Sequence, residues 1–206
     1  MNRIVRIIFI ALLVVLPVEL SSQNTSPIER LYDSFASNCV AIDCTYEIDS
    51  GGLTTKGQCQ VEVQGTLFKM QGAGLDVYCD GQSVWALDVE GKEAIVESAG
   101  EDSFSYMTNP ALLFRDMDKV FTISGSSSIA TGVRYVLSPR KSCGIKNAVL
   151  HIGNDAALRD AEFILDDESL VKINVRSYKV LPLAQIGYFS PSALSSDWVV
   201  TDLRSL

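Results

Sequence analysis

The stretch from Leu67 to Asp88, LFKMQGAGLDVYCDGQSVWALD, decides the fold class of this chain of 206 residues. Two turn signals interrupt it, Gly72-Ala73-Gly74 and Asp80-Gly81, and short runs of alternating apolar and polar residues flank each of them. Glycine and aspartate accept the backbone conformations of tight turns. Short alternating runs separated in this way therefore predict consecutive antiparallel hairpins.

The segment before this stretch predicts a hairpin whose register can be worked out. Apolar residues alternate with polar ones in 40–48 and again in 59–63, with Gly51-Gly52 between the two runs. A two-residue turn at these glycines sets Cys44 opposite Cys59 and places both apolar faces on the same side of the sheet, which a shift of one residue would destroy. Directly opposed Cβ atoms are about 4.5–5.5 Å apart, close to disulfide geometry. Cys44 and Cys59 are therefore either a disulfide or two buried thiols.

Two helices are predicted among about a dozen short strands. Ser26-Pro27-Ile28-Glu29 combines a capping residue, a first-turn proline and a capping box, and it begins a helix over 26–38 with Leu31 and Phe35 on its apolar stripe. Asn109-Pro110 begins a second helix over 109–118. One large antiparallel sheet results, which tends to curl and to need covering on its concave face. The helices are the available covers, over either a filled core or an open cavity.

The end of the chain predicts three further short elements. Residues 183–189 read as a strand, 190–194 as one capped helical turn and 198–203 as the final strand. No internal repeat or long linker interrupts the pattern, so we expect a single domain over 23–206.

The N-terminal residues are typical of a secretory signal. Arg3 and Arg6 precede an apolar run of ten residues, Ile7 to Leu16, and Pro17 and Ser21-Ser22 follow it. A run of this length is too short for the roughly 20 residues of a membrane-spanning helix. We expect cleavage after Ser22, no lipidated cysteine at the new terminus, and a product in the periplasm without a stable membrane anchor.

Charge and cysteine usage exclude several classes of function. The formal net charge is −8, and no lysine or arginine cluster is present, which argues against nucleic acids and anionic membrane surfaces as partners. The five cysteines leave at least one thiol unpaired and include no C-x-x-C unit, so no metal site is expected. We also expect no cofactor.

His151 is the one histidine of the chain. It alternates with Leu150 and Ile152, so it is expected to face outward on a strand. A catalytic histidine needs a nucleophile and an orienting acid, and the sequence nominates neither. The sequence therefore predicts a protein that is not an enzyme, and a secreted hydrolase is the least favoured reading.

Four landmarks follow one another along the chain: the "LF" pair Leu67-Phe68, the "DG" turn Asp80-Gly81 followed by Trp85, the "P..LL" helix Asn109-Pro110 with Leu112-Leu113, and the "V.DLR" ending Val199–Arg204. Taken in this order they resemble the LolA-like carriers of outer-membrane lipoproteins, in particular a Bacteroidetes-type branch. The resemblance implies an unclosed, strongly curled antiparallel β-barrel with a helical lid over an apolar concave face. It covers most of the chain after the signal segment.

The resemblance also implies a function and partners. A carrier of this kind shields the acyl chains of lipoproteins, receives them from an inner-membrane lipoprotein-releasing transporter, and passes them to an outer-membrane acceptor. It acts as a monomer and without a chemical step. The candidate lipid-binding residues of the cavity and lid are Leu31, Phe35, Phe68, Met70, Trp85, Leu112, Leu113, Phe114 and Met117.

One position departs from the family pattern. Family members often carry Arg-Pro immediately before the "LF" region, and that arginine is thought to fasten the lid, whereas this chain has Gln64-Gly65. A neutral glutamine cannot supply a charge-assisted hydrogen bond to a lid. A LolB- or RseB-like protein that binds or senses lipoproteins without carrying them remains the alternative.

Overall fold

The computed structural model describes residues 25–99 and 117–204; the expected signal segment 1–22 and residues 109–116 of the expected second helix lie outside these ranges. The described elements are α1 Pro27–Ser37, β1 Cys39–Ser50, β2 Leu53–Gln64, β3 Leu67–Gly72, β4 Leu75–Cys79, β5 Ser83–Asp88, β6 Glu93–Ser98, α2 Met117–Val120, β7 Phe121–Ile129, β8 Gly132–Pro139, β9 Ile145–Gly153, β10 Leu158–Leu165, β11 Leu170–Leu181, the 3-10 helix Ile186–Phe189 and β12 Val199–Asp202.

All twelve strands belong to one open sheet. Their order is β12-β6-β5-β4-β3-β2-β1-β11-β10-β9-β8-β7, so β12 and β7 form the two edges and the sheet is not closed. Every neighbouring pair is antiparallel except β12 and β6, which run parallel with Val199 beside Glu93. The predicted mainly-β fold with an unclosed, largely antiparallel sheet is confirmed, and the parallel last strand is a departure from it.

The β1–β2 hairpin has the predicted register. Cys44 pairs with Cys59, Ile42 with Val61 and Val40 with Val63. The turn between the strands uses Gly51 at φ +56° and Gly52 at φ +84°, a region that glycine enters without a steric penalty. Two glycines therefore determine which residues of twelve-residue strands face each other.

The sheet has one face covered by helix α1 and one outer face. Alternation along the strands and across the pairs places one buried apolar cluster on the helix-covered face, including Val63, Phe68, Leu150 and Phe163. The outer face carries most of the charged residues of the same strands, such as Glu62 paired with Lys69. This buried cluster thus lies on the sheet face that α1 covers.

Helix α1 begins as the sequence predicts. The Ser26 hydroxyl accepts the N–H of Glu29, and the Glu29 carboxylate accepts the N–H of Ser26, which is a complete capping box. Ile28, Leu31 and Phe35 are buried against the sheet. Each such side chain stabilises the folded state by roughly 1.5–3 kcal/mol, so packing on the sheet, rather than helix propensity, holds these eleven residues in place.

The segment after β11 differs from the sequence prediction. The expected strand at 183–189 is wrong, because its second half is the 3-10 helix Ile186–Phe189, and the expected helical turn at 190–194 is also wrong, because those residues adopt no helix. The segment crosses the outer face next to β3 and reaches the far edge of the sheet. Its backbone is held by Gln64, whose side-chain amide donates to the Ala184 carbonyl at 3.0 Å and accepts from the Ala184 N–H at 2.8 Å.

Candidate functional site

The candidate binding site is the apolar cluster beneath α1. Leu31, Phe35, Phe68 and Met117 belong to this single buried cluster, and Met70 is half-buried and packs against it. These residues come from α1, β3 and α2, so the sheet brings together side chains that are up to 86 positions apart in the chain. Five of the predicted residues therefore belong to one cluster or pack against it, and their binding of lipid remains a prediction.

Trp85 does not join this cluster. Phe68 pairs with Cys79 and Cys79 pairs with Val84, so the next residue, Trp85, lies on the outer face beside Tyr78. The register of the Asp80-Gly81 hairpin could have predicted this placement. When Cys79 pairs with Val84, the next residue, Trp85, faces away from Phe68. Leu112, Leu113 and Phe114, the remaining candidates, lie outside the described residues.

Tyr178 is a member of the site that sequence reasoning missed. Its ring meets the ring of Phe35 edge-on, with the centroids 6.4 Å apart, a favoured aromatic geometry. The alternation along β11 places Tyr178 on the helix-covered face, but only the pairing of Ile42 in β1 with Tyr178 in β11 brings it beneath α1. That pairing joins distant parts of the chain, and no local signal predicts it.

Two tyrosines at this site, Tyr32 and Tyr178, are uncharged. Burial raises the pKa of Tyr178 to about 12, and burial together with nearby Asp118 raises the pKa of Tyr32 well above its usual range. Both phenols are therefore neutral at physiological pH. An apolar ligand beneath α1 therefore meets Tyr32 and Tyr178 as neutral groups, which cost less to desolvate than ions.

Cys44 and Cys59 meet at the margin of this cluster. Both are free thiols in the structure, and their Sγ atoms are 3.2 Å apart. Cys44 is buried, whereas Cys59 is half-buried and borders a cavity of about 360 Å³ that also contacts Asp43 and Arg176. The hydrogen bond from the Cys44 thiol lowers the pKa of Cys59, so Cys59 is the more reactive thiol of the pair.

Two landmarks of the sequence resemblance meet on the outer face. The Asp80 carboxylate accepts the N–H groups of Gln82 and Ser83, both at 2.8 Å, which shapes the "DG" turn. Arg204, the arginine of the "V.DLR" ending, donates to the Ser83 hydroxyl at 3.2 Å and is ion-paired with Asp202. The ending therefore holds the last strand against the turn.

Gln64-Gly65, where the sequence departs from the family pattern, also has a local role. Gln64 binds the segment after β11 on the outer face, as described above. Gly65 adopts φ +59° in the β2–β3 turn, which a proline ring fixed near φ −65° cannot adopt.

The described ranges contain no group of three or more histidine, cysteine, aspartate or glutamate side chains placed to hold a metal ion. Nor does any helix within 25–99 or 117–204 have the length and apolar character that a membrane crossing requires. His151 lies on the outer face, as predicted, paired with Asp160 on β10 and Arg134 on β8.

The fold of this chain is similar to that of solved structures. No protein-family model matches the sequence, and no curated protein matches it. An uncharacterised conserved protein from Thermus thermophilus is similar, with a TM-score of 0.55, 12% identity, and coverage of 85% of this chain and 96% of that protein.

Two further solved structures have lower scores. A LolA superfamily protein from Nitrosomonas europaea has a TM-score of 0.44, 11% identity, and coverage of 80% and 96% of the two chains. A DUF1329 family protein from Desulfovibrio piger has a TM-score of 0.44, 14% identity, and coverage of 83% and 100%. The likeness is one of fold, and the structural neighbours of this chain include a LolA superfamily protein.

Proposed function

We propose that this protein is a periplasmic carrier that shields the acyl chains of lipoproteins between helix α1 and the sheet. The observation that carries the proposal is the arrangement of the apolar cluster, which lies on one face of an open sheet beneath a short amphipathic helix. The ordered sequence landmarks of the LolA-like carriers support it. An acyl chain that takes the place of α1 against the apolar cluster is stabilised by roughly 0.8 kcal/mol per buried CH₂.

In this proposal helix α1 is the element that moves to admit the acyl chain. It connects to β1 through Asn38 alone, and outside the apolar stripe the Arg30 guanidinium donates to the Asn154 carbonyl at 3.0 Å. Lifting the helix requires this exposed bond to break and the stripe to separate from the sheet. An entering acyl chain compensates for the separation of the apolar stripe from the sheet, because it contacts the same apolar surface.

Transfer in this scheme needs no chemical step. The acyl chain moves from the transporter to the carrier and then to an acceptor that buries it more completely. A difference in binding free energy between carrier and acceptor is sufficient to drive this transfer. We propose the inner-membrane lipoprotein-releasing transporter and the outer-membrane acceptor as partners, and a monomer as the working state.

Ligand uptake by purified residues 23–206 tests the proposal. We expect acyl ligands to co-purify, detected by mass spectrometry, and the fluorophore 1-N-phenylnaphthylamine to brighten on binding. Leu113→Glu is expected to weaken uptake, whereas Leu53→Glu, at a site that is 78% exposed, serves as the matched control. Absence of uptake by folded protein contradicts the proposal.

A transfer assay separates the carrier from the LolB- or RseB-like alternative. Protein loaded with a palmitoylated peptide is mixed with phosphatidylethanolamine vesicles that contain the acceptor. A carrier transfers the peptide to the vesicles, whereas a sensing module retains it.

A further inference from the structure

The outer face contains a polar cavity that is separate from the apolar cluster beneath α1 and meets it only through Asn154, whose carbonyl accepts the hydrogen bond from Arg30 of α1. It has a volume of about 480 Å³ and is lined by Thr131, His151, Asn154, Asp155, Arg159 and Asp160. The turn between β7 and β8 contributes Thr131, β9 contributes His151, and β10 with its preceding turn contributes the remaining charged residues. Three separate parts of the chain thus converge on one histidine.

His151 has both partners that a catalytic histidine requires. Its Nδ1 atom lies 2.7 Å from Asp160 Oδ2, and its Nε2 atom lies 3.1 Å from Thr131 Oγ1. The His151 side chain is 12% exposed, so the imidazole is held among protein groups rather than in open solvent. We propose that Thr131, His151 and Asp160 form a nucleophilic site that hydrolyses small carboxylic esters.

With Asp160 ionised and the His151 imidazole in its neutral form, the direction of both hydrogen bonds follows. An ionised Asp160 carboxylate only accepts, so Nδ1 of the neutral imidazole carries the proton and donates it. Nε2 then has a lone pair and accepts, and the Thr131 hydroxyl is the donor. This is the direction that general-base activation of a hydroxyl needs.

The carboxylate that orients the imidazole is itself held in place. Arg134 Nη2 lies 3.1 Å from Asp160 Oδ1 and 3.9 Å from Glu162 Oε1. One oxygen of Asp160 therefore binds the guanidinium while the other binds His151. Asp160 and Arg134 act as positioning residues, and Thr131 and His151 as the catalytic ones.

Two glycines allow these elements to approach. A Cβ atom on Gly132 would lie 2.1 Å from the Ile152 carbonyl oxygen, so only glycine lets the chain next to Thr131 pack against β9. A Cβ atom on Gly153 would lie 2.5 Å from Asp155 Oδ1 and 2.7 Å from Arg159 Nε, where these two side chains cross the backbone. The close approach at Gly132 is to backbone and requires glycine, whereas the side-chain atoms that face Gly153 can move aside.

The reaction balances within this set of groups and water. Thr131 Oγ1 bonds to the carbonyl carbon while His151 Nε2 takes the hydroxyl proton; the ester C–O bond then breaks and the imidazolium returns that proton to the departing alcohol. Water attacks the acyl-threonine in the same way, with His151 transferring its proton, and releases the acid. Arg159, which is ion-paired with Asp155, has further N–H donors for the developing oxyanion.

Ester hydrolysis by the folded protein tests this site. With p-nitrophenyl acetate as the probe, we expect Thr131→Ala and His151→Gln each to reduce the rate at least about tenfold, because general-base catalysis typically contributes about 10²–10⁴-fold. Thr131→Ser, which keeps the hydroxyl, is expected to retain the activity. Thr122→Ala removes an exposed threonine of β7 far from His151 and is the matched control. An unchanged rate in Thr131→Ala overturns the proposal.

Two further measurements separate catalysis from a purely structural network. Diisopropyl fluorophosphate is expected to label Thr131, located by peptide mass spectrometry, and not to label Thr131 in His151→Gln. Nitrogen-15 NMR of the imidazole is expected to show the Nδ1–H tautomer, with loss of this preference in Asp160→Asn. No labelling of folded wild-type protein overturns the proposal. Thr131→Ala is expected to leave fluorophore uptake unchanged, so this test is independent of the carrier proposal.

Discussion

At the residue scale, Cys44 and Cys59 show how a turn determines chemistry. They are fifteen positions apart, and the glycines of the β1–β2 turn set their Sγ atoms 3.2 Å from each other. Cys59 has the lowered pKa and borders a cavity. A two-electron oxidant that reaches Cys59 converts its thiolate to a sulfenic acid, and the neighbouring Cys44 sulfur then displaces water to form the disulfide.

We expect this pair to form a disulfide in protein isolated from an oxidising compartment. After unfolding, a maleimide is expected to label Cys44 and Cys59 only if reductant is present, with Cys143 labelled under both conditions as the control. Reduction is expected to lower the free energy of unfolding by about 3 kcal/mol, the chain-entropy value for a loop of this length. Full labelling of both residues without reductant contradicts the disulfide.

At the scale of elements, α1 depends on what lies beneath it. A helix of eleven residues is marginal by itself, so its position reflects the apolar stripe and the bond between Arg30 and the Asn154 carbonyl. In the described part of the chain, Arg30 thus fastens α1 to the turn before β10. Gln64 instead binds Ala184 in the segment after β11.

Arg30→Ala is expected to accelerate fluorophore uptake. An exposed hydrogen bond of this kind contributes about 0.5–1.5 kcal/mol, which corresponds to an increase in the opening equilibrium of roughly two- to tenfold. Stopped-flow fluorescence measures the rate, and Arg176→Ala, on the outer face, is the control. An unchanged rate would show that α1 is not the moving cover.

At the scale of the whole molecule, the last residues connect the far edge of the sheet to the hairpin turns. Arg204 joins the Asp202 carboxylate, with Nε 2.9 Å from Oδ1, to the Ser83 hydroxyl. The hydrogen bond from Arg204 lowers the pKa of Asp202 to about 2. The folded pKa of Asp202 lies below the usual value near 3.9. The stabilisation from the Asp202–Arg204 pair is therefore fully present above about pH 3.9 and is lost as the pH falls toward 2.

Carboxyl-detected NMR titration tests this connection. Asp202 is expected to titrate near pH 2 in the wild type and near 3.9 in Arg204→Ala, and hydrogen exchange of the β12 amides is expected to increase in the variant. Asp197 is the control, since its lowered pKa comes first from its hydrogen bond with Lys92 and should not change. An Asp202 that titrates alike in both proteins contradicts the role of Arg204.

Local sequence was sufficient for much of this fold. The capping box of α1, the alternation along the strands and the glycine turns each depend on neighbouring residues, so the hairpins and the Cys44–Cys59 register follow directly from the chain. The same reasoning predicted an outward His151. It failed where a local pattern is ambiguous, as in 183–189, because a short apolar run suits a strand or a helical turn equally well.

Only the tertiary structure decided which distant residues meet. The pairing of β1 with β11 brings Tyr178 beneath Phe35, and the packing of β8, β9 and β10 places Thr131 and Asp160 on either side of His151. These contacts depend on strand order in the sheet, which local propensities do not encode. The sequence by itself therefore determined helix α1, the hairpins and the faces of most strands, whereas both candidate sites exist only because long-range pairing brings separate strands together.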